Sequence, residues 1–387
     1  MSAAPPRVLV AHNRYRSEGG EERSVELQLR ALRLAGIEHR LLERDSGGVG
    51  RARAGAAMLG GGTRPREVAA HVAELRADVL HMHNMQPLLG PRALAAARAE
   101  GARVVLHLHN FRLFCAIGVA FRDGAPCFRC RGRRTLPGLA LRCRGSAPEA
   151  AIYAAGLSLH QPAVLEAVDR FVAPSRYAVA QLIRLGLPAG AIQPLPHYLP
   201  AEQLAQRSRA ADGEFALVAA RLAPEKGVGV AVEAAAISGV PLKVAGEGPL
   251  AAELHEQARA LGAPVEFLGR AADGEVRALL DRAAALVVPS VGSEFAPYAP
   301  LEGMAAGVPV VATRSGGVPE LVGEEHCVPR GDAPALAAAL SALWEEPDRR
   351  SERGEAAIER IRTRHSEERY LSELLALYRR VRGDEAL

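Results

Sequence analysis

The sequence predicts an α/β protein of two domains, each built on a parallel sheet with helical crossovers. Three observations carry this reading. The chain has 387 residues, too long for one ordinary core and suited to two domains of somewhat under about 200 residues each. Short apolar runs alternate with helical stretches along both halves, the pattern of strand, crossover helix and next parallel strand. Between the two series lies a polar stretch without strand signal, Leu199 to Glu214, where the domain boundary is expected.

The first series supplies the strands "RVLVAH", "EHRLLE", "DVLHMH", "RVVLHLH" and "FVAPS", with helices expected over Gly20 to Leu34, Pro91 to Arg98 and Pro148 to Ala167. The second begins at "FALVAA". Later in it, "ALVVPS" (Ala285 to Ser290) reads as a buried strand closed by Pro289. "PLEGMAAG" reads as a helix with Pro300 in its first turn and Gly307 past its end, and "VPVVAT" as the next strand. The tail "HSEERYLSELLALYRRV" repeats apolar residues at helical spacing.

Composition bounds the function. Hydrophobic residues make up 49% of the chain and the net charge is +4, ordinary for a globular α/β protein and too mild to argue for nucleic acid. No apolar stretch reaches the roughly 20 residues a membrane span needs. The start "MSAAPPRVLVAHN" lacks the basic, apolar and cleavage regions of a secretory signal, so a cytoplasmic protein is expected.

Glu294 and Glu302 stand eight positions apart, the first at a strand end and the second in the following helix. Open α/β sheets bind ligands at such a place. Two carboxylates there can accept hydrogen bonds from two sets of hydroxyls, which sugars and riboses offer. Earlier, Arg221 and Lys226 lie five apart across a strand-to-helix turn, with Gly227 opening the helix. Their charge and the helix N-terminus suit a phosphate.

The motifs around these residues, in this order, resemble retaining glycosyltransferase family 4, whose members have the GT-B fold of two Rossmann-like domains facing across a cleft. "VAARLAPEKGVGVAVEAAA" resembles that family's strand, Arg, Glu-Lys-Gly and helix segment. "VAGEGPL" resembles its Gly-x-Gly-Pro turn, "VEFLGRAADGEVRALLDRA" the segment before its nucleotide pocket, and "SEFAPYAPLEGMAAGVPVVATRSGGVPEL" its C-terminal signature. The N-terminal half resembles a bacterial subgroup through "HNRYRSEGGEERSVELQLRAL", "HMHNMQPLLGP" and "HLHNFRLFCAIGVAFRDGAPCFRC". The resemblance implies an acceptor-binding domain over 1–199 with an insertion at about 115–145. It further implies a nucleotide-sugar-binding domain over 214–365 and a crossover helix over 366–387 that packs on the first domain.

The resemblance also assigns roles. Arg221 and Lys226 match the phosphate pair, Glu302 the carboxylate on the ribose, and Glu294 the one that holds the transferred sugar. Gly248, Arg270, Leu301 and Pro297 fall in nucleotide-sugar-binding segments, and Gly19 and Gly20 form a Gly-Gly turn that lets backbone approach a phosphate or sugar. At Pro297 the family usually has Gly, and proline carries no N–H, so one donor to the sugar is missing. That departure admits an unusual sugar, a substitute donor or impaired catalysis. His109 matches the histidine beside the reacting carbon, with His107 expected on the other face of the sheet. His12, Asn13, His83, Asn84 and Asn110 are expected to meet donor or acceptor.

The implied reaction is transfer of a hexosyl group, with retention, from a nucleoside diphosphate sugar to a hydroxyl. UDP is the nucleotide implied, the acceptor being a small molecule, lipid-linked unit or glycan of envelope or natural-product biosynthesis. Specificity is expected in the loops Arg14 to Gly20 and Asn110 to Arg144. The sequence contains no Asp-x-Asp pair, so no catalytic metal or other cofactor is expected. Four cysteines, Cys115, Cys127, Cys130 and Cys143, fall within 29 residues. Either they hold a structural Zn²⁺ or they are free thiols. The Arg-rich insertion around them either meets a phosphorylated acceptor or an anionic membrane surface, or is merely solvated. Two other classes fit parts of the sequence. One is a GT-B relative that binds nucleotide sugar without ordinary transfer. The other is a dinucleotide oxidoreductase, disfavoured because "GEGPL" lacks the third Gly of the fingerprint.

Overall fold

A computed structural model of the chain describes residues 4–15 and 19–384. The chain divides into two compact units, one of residues 1–120, 128–196 and 368–387, the other of 121–127 and 197–367. The division falls between Pro196 and His197, just ahead of the polar stretch.

The first unit holds a six-stranded parallel sheet. Its strands are β1 (Val8–Arg14), β2 (His39–Asp45), β3 (Val79–Met82), β4 (Arg103–His107), β7 (Arg170–Ala173) and β8 (Ile192–Pro194). A two-stranded ribbon, β5 (Phe121–Arg122) and β6 (Ala125–Pro126), interrupts the numbering. The spatial order is β2-β1-β3-β4-β7-β8. Strand β3 is buried throughout and β4 from Val104 on, as expected of parallel strands covered on both faces. The final helix, Glu367–Arg382, buries Tyr370, Leu374, Leu377 and Tyr378; Tyr378 bonds with residues of this unit.

The second unit holds another six-stranded parallel sheet. Its strands are β9 (Phe215–Ala219), β10 (Leu242–Ala245), β11 (Val265–Gly269), β12 (Ala283–Val288), β13 (Val310–Thr313) and β14 (Cys327–Val328), in the order β11-β10-β9-β12-β13-β14. Counted within the unit, this is the 3-2-1-4-5-6 order of a Rossmann sheet. Its core packs Val218, Val244 and Val287 from the strands against Ala231 and Ala235 of the helix Val228–Ser238 and Leu336 and Leu340 of the helix Ala333–Trp344.

Each sheet has one place where the strand order reverses, and loops that leave neighbouring strands in opposite directions open a crevice there. In the first sheet it lies between β1 and β3, in the second between β9 and β12. The helices after β1 and after β12 form over Gly20–Leu34 and Tyr298–Ala305, the latter with Pro300 in its first turn and Gly307 beyond its end. Among the described residues no helix is long and apolar enough to cross a membrane.

Candidate active site

In the second unit the loops after β9 and β12 bring four of the sequence-predicted residues to the reversal point. After β9, the chain passes Arg221 and makes one 3-10 turn, Pro224–Lys226, before the helix Val228–Ser238. Gly227 joins turn to helix with φ +63°, and a Cβ there would lie 2.2 Å from the Pro289 carbonyl oxygen. A left-handed residue pressed on neighbouring backbone has to be glycine. This contact seats the β9 loop directly on the β12 loop.

Lys226 Nζ donates to Glu294 Oε1 at 2.7 Å, and Ser290 Oγ donates to the same oxygen at 2.8 Å. Burial by itself raises the Glu294 carboxyl, but Lys226, the Ser290 hydroxyl and the nearby charge of Arg221 outweigh it and hold the group below the usual carboxylate range. Arg221 pairs with Glu225, whose own carbonyl accepts from the N–H groups of Val291 and Gly292 at 3.0 and 2.8 Å. The Arg221 side chain remains 55% exposed, free to turn toward a ligand. The β12 loop is tied down by Gly317 N–H, which donates to the Glu294 carbonyl at 2.9 Å.

Glu302 is half-buried on the helix Tyr298–Ala305, beside the fully buried Leu301; Pro297 caps that helix in extended conformation. The Tyr298 ring stacks on His197 at 4.4 Å, and its hydroxyl meets His197 Nδ1 at 3.2 Å. Burial, aided by His365, holds His197 neutral, with its pKa lowered to about 3. Gly248 follows β10, and a Cβ there would meet the Leu222 carbonyl oxygen at 2.3 Å, so this turn too lies against the β9 loop. Arg270 follows β11 and is exposed.

In the first unit, the reversal point gathers polar side chains of another kind. Asn84 Nδ2 donates to the Asn13 carbonyl at 2.8 Å, and Asn13 N–H to the Asn84 carbonyl at 2.9 Å. His12 lies 3.6 Å from Glu22 Oε1. Glu22 also accepts from the backbone N–H of Tyr15 at 3.1 Å and of Gly19 at 2.9 Å. Gly19 is extended at φ −163° and Gly20 begins the helix, so neither uses a left-handed conformation. Arg16, Ser17 and Glu18 of the expected specificity loop lie outside the described residues.

Glu21, which the sequence reading did not single out, is 8% exposed. It accepts from the Tyr15 hydroxyl at 2.8 Å and from Asn110 Nδ2 at 3.1 Å. Burial, only partly offset by His12, Tyr15 and Arg112, raises its carboxyl to about 7. Its one visible signal was its place directly after the Gly-Gly pair.

His83 Nδ1 and His109 Nε2 meet at 2.9 Å with the rings stacked. The expectation that His107 faces away from His109 is overturned: their rings stack at 4.1 Å. Side chains alternate along a strand, so residues two apart share a face. The same rule stacks His81 on His83 at 5.0 Å. The ligand nitrogens of His81, His83 and His107 lie within 4.8 Å of one another, the one such group among the described residues. Both nitrogens of His81 and of His83 already serve hydrogen bonds. Metal binding would have to break a buried polar network, so the group reads as a network. Of the four clustered cysteines, Cys115, Cys130 and Cys143 belong to this unit. Cys130 Sγ lies 3.7 Å from the position of a Cβ on Gly138, and the Gly138 carbonyl accepts from Cys143 N–H at 3.0 Å. The three thiols form no ligand group within 4.8 Å.

Comparison with known proteins agrees with this layout. Residues 7–197 match the family described as Glycosyl transferase 4-like domain, and residues 201–360 match Glycosyl transferases group 1. D-rhamnosyltransferase WbpZ of Pseudomonas aeruginosa is 32% identical over 232 residues, covering 53% of this chain and 58% of that protein. The curated relatives are matched over 32 to 58% of their own length. In structure, Alr3699/HepE of Anabaena, crystallised with UDP, superposes with a TM-score of 0.68 at 16% identity, covering 96% of this chain and 99% of that one. Sucrose-phosphate synthase of Thermosynechococcus elongatus superposes at 0.71 with 19% identity, covering 97% and 100%. The chain therefore has the GT-B fold of two Rossmann-like units, its first half matching a glycosyl transferase 4-like domain and its second a glycosyl transferases group 1 domain.

Proposed function

We propose that the protein transfers a hexosyl group from a nucleoside diphosphate sugar to a hydroxyl acceptor with retention of configuration. The observation that carries this is the Lys226–Glu294 pair at the reversal point of the second sheet, with Arg221 within electrostatic reach. A departing diphosphate needs positive charge, and Lys226, Arg221 and the N-terminus of the helix Val228–Ser238 supply it from one loop. Both hydrogen bonds to Glu294 fall on Oε1, which leaves Oε2 to accept from a sugar hydroxyl. Glu302, on the adjacent helix, accepts from the ribose.

UDP is the proposed nucleotide, supported by the UDP bound to Alr3699/HepE. A rhamnosyltransferase and a sucrose-phosphate synthase among the similar proteins support a glycan or small-molecule acceptor. Transfer proceeds at the front face: the departing β-phosphate takes the acceptor proton, and fixed dipoles hold the oxocarbenium-like centre. Glu294, committed to Lys226 and Ser290, binds and does not attack, so the close carboxyl pair of a retaining glycosidase is not invoked. His109 lies beside the reacting carbon in this reading, and catalysis needs no metal.

Calorimetric titration with nucleotides and nucleotide sugars, without added metal, tests the reading. A UDP-sugar that binds more tightly than UDP identifies the donor. No binding by any member of the panel sinks the transferase and favours a relative with altered donor recognition, in which Pro297 removes a backbone N–H where the helix begins.

A further inference from the structure

The histidines near the first reversal point form a chain whose hydrogen positions are dictated from the protein interior. Gln28, fully buried on the helix Gly20–Leu34, presents Oε1 to His83 Nε2 at 2.6 Å and donates from Nε2 to the Tyr378 hydroxyl at 2.8 Å. Tyr378, fully buried on the last helix, meets His81 Nδ1 at 2.9 Å. An amide oxygen only accepts, so with neutral rings His83 carries its proton on Nε2 and keeps a lone pair on Nδ1. His109 Nε2, 2.9 Å from that lone pair, must then be the donor, and the His109 lone pair sits on Nδ1. On the other branch, a hydroxyl that accepts from Gln28 is free to donate to His81 Nδ1. His81 Nε2 then donates toward His107 Nδ1 at 3.4 Å.

We propose that Gln28 and Tyr378 are positioning residues that lock the imidazole chain and present His109 to the ligand with its proton on Nε2 and its lone pair on Nδ1. The inference rests on the transferase reading only for what His109 then does. Burial supports neutral rings: it lowers the His81 pKa to about 3 and pushes the Tyr378 hydroxyl well above the usual tyrosine range. The last helix thereby reaches the candidate site through one hydroxyl.

Long-range proton–nitrogen correlation of the imidazoles in the full chain, assigned by single replacement of His83 and His109, reads the tautomers directly. The expected pattern is a proton on Nε2 of both rings. Gln28→Leu should turn both into tautomer mixtures and lower kcat about tenfold or more, with little change in KM for the donor, as loss of an orienting partner does elsewhere. Gln28→Glu, whose carboxylate accepts the same Nε2–H, should restore the pattern and most of kcat. If Gln28→Leu fails to fold, Tyr378→Phe carries the test, since it removes the donor to His81 and should change the His81 tautomer alone. A His83 proton on Nδ1 in the wild type, or unaltered rings in Gln28→Leu, overturns the proposal. The expected ring pattern without turnover of any donor supports the network and sinks the transferase reading, so the two failures are distinct.

Discussion

The two units place their candidate residues at the same point of similar sheets, yet fill it with opposite chemistry. At the second reversal point the polar groups are charged and mutually compensated: Lys226 with Glu294, Arg221 with Glu225. At the first they are mostly imidazoles and amides, with Glu21 and Glu22 as buried carboxyls. A site that receives a diphosphate must hold positive charge against self-repulsion, and paired carboxylates do so until the ligand arrives. A site that orients neutral hydroxyls needs directional donors and acceptors, which buried networks fix. One topology thus carries two chemistries, in the second unit on the loops after β9 and β12, in the first also on the strands that hold His12, Asn13, His81 and His107.

The largest expected effect comes from breaking the charge compensation. Lys226→Met leaves Glu294 without its cation in a largely buried place and should destabilise the protein by about 3 kcal/mol, read by urea denaturation, while transfer becomes undetectable. Stability unchanged within error would mean that Glu294 is not held by Lys226.

The pH dependence sharpens the contrast, since the two carboxyls have opposite signs. Glu21 is raised to about 7 in the folded state, so between about 4.5 and 7 the native state binds its proton more tightly than the unfolded chain, and stability falls as pH rises through that window. Glu21→Gln should remove that fall and make the protein more stable than wild type by about 3 kcal/mol at pH 8. Glu294 is lowered. Its contribution is therefore present above the unfolded carboxylate value and lost as pH falls through the folded one. Glu294→Gln should flatten only that acid limb. Thermal melts of the three proteins from pH 3 to 8 check both signs; parallel curves would erase the distinction between the units.

Glu302→Ala should weaken nucleotide binding about tenfold, the loss of a hydrogen-bonded pair of hydroxyls, whereas Glu294→Ala should chiefly remove the extra affinity of the sugar nucleotide. Equal loss for nucleotide and nucleotide sugar in both variants would merge the two roles. The smallest effect is expected from Pro297→Gly. Restoring one backbone N–H should change donor-sugar affinity by about 1 kcal/mol, measured by calorimetry against the parent.

Read alone, the sequence determined the alternation that builds both sheets, the helix over Gly20–Leu34, a helix with Pro300 in its first turn, and the place of Arg221, Lys226 and Glu294 directly after strands. These were legible because each depends on local periodicity and on loops that directly follow strands. What only the tertiary structure decided are contacts between residues far apart in the chain. Lys226 reaches Glu294 across 68 positions, Asn110 reaches Glu21 across 89, and Gln28 meets Tyr378 across 350. Nothing in the spacing around Gln28 or Tyr378 marks either as polar and buried. Their significance arises when packing removes water and leaves each donor one acceptor to find.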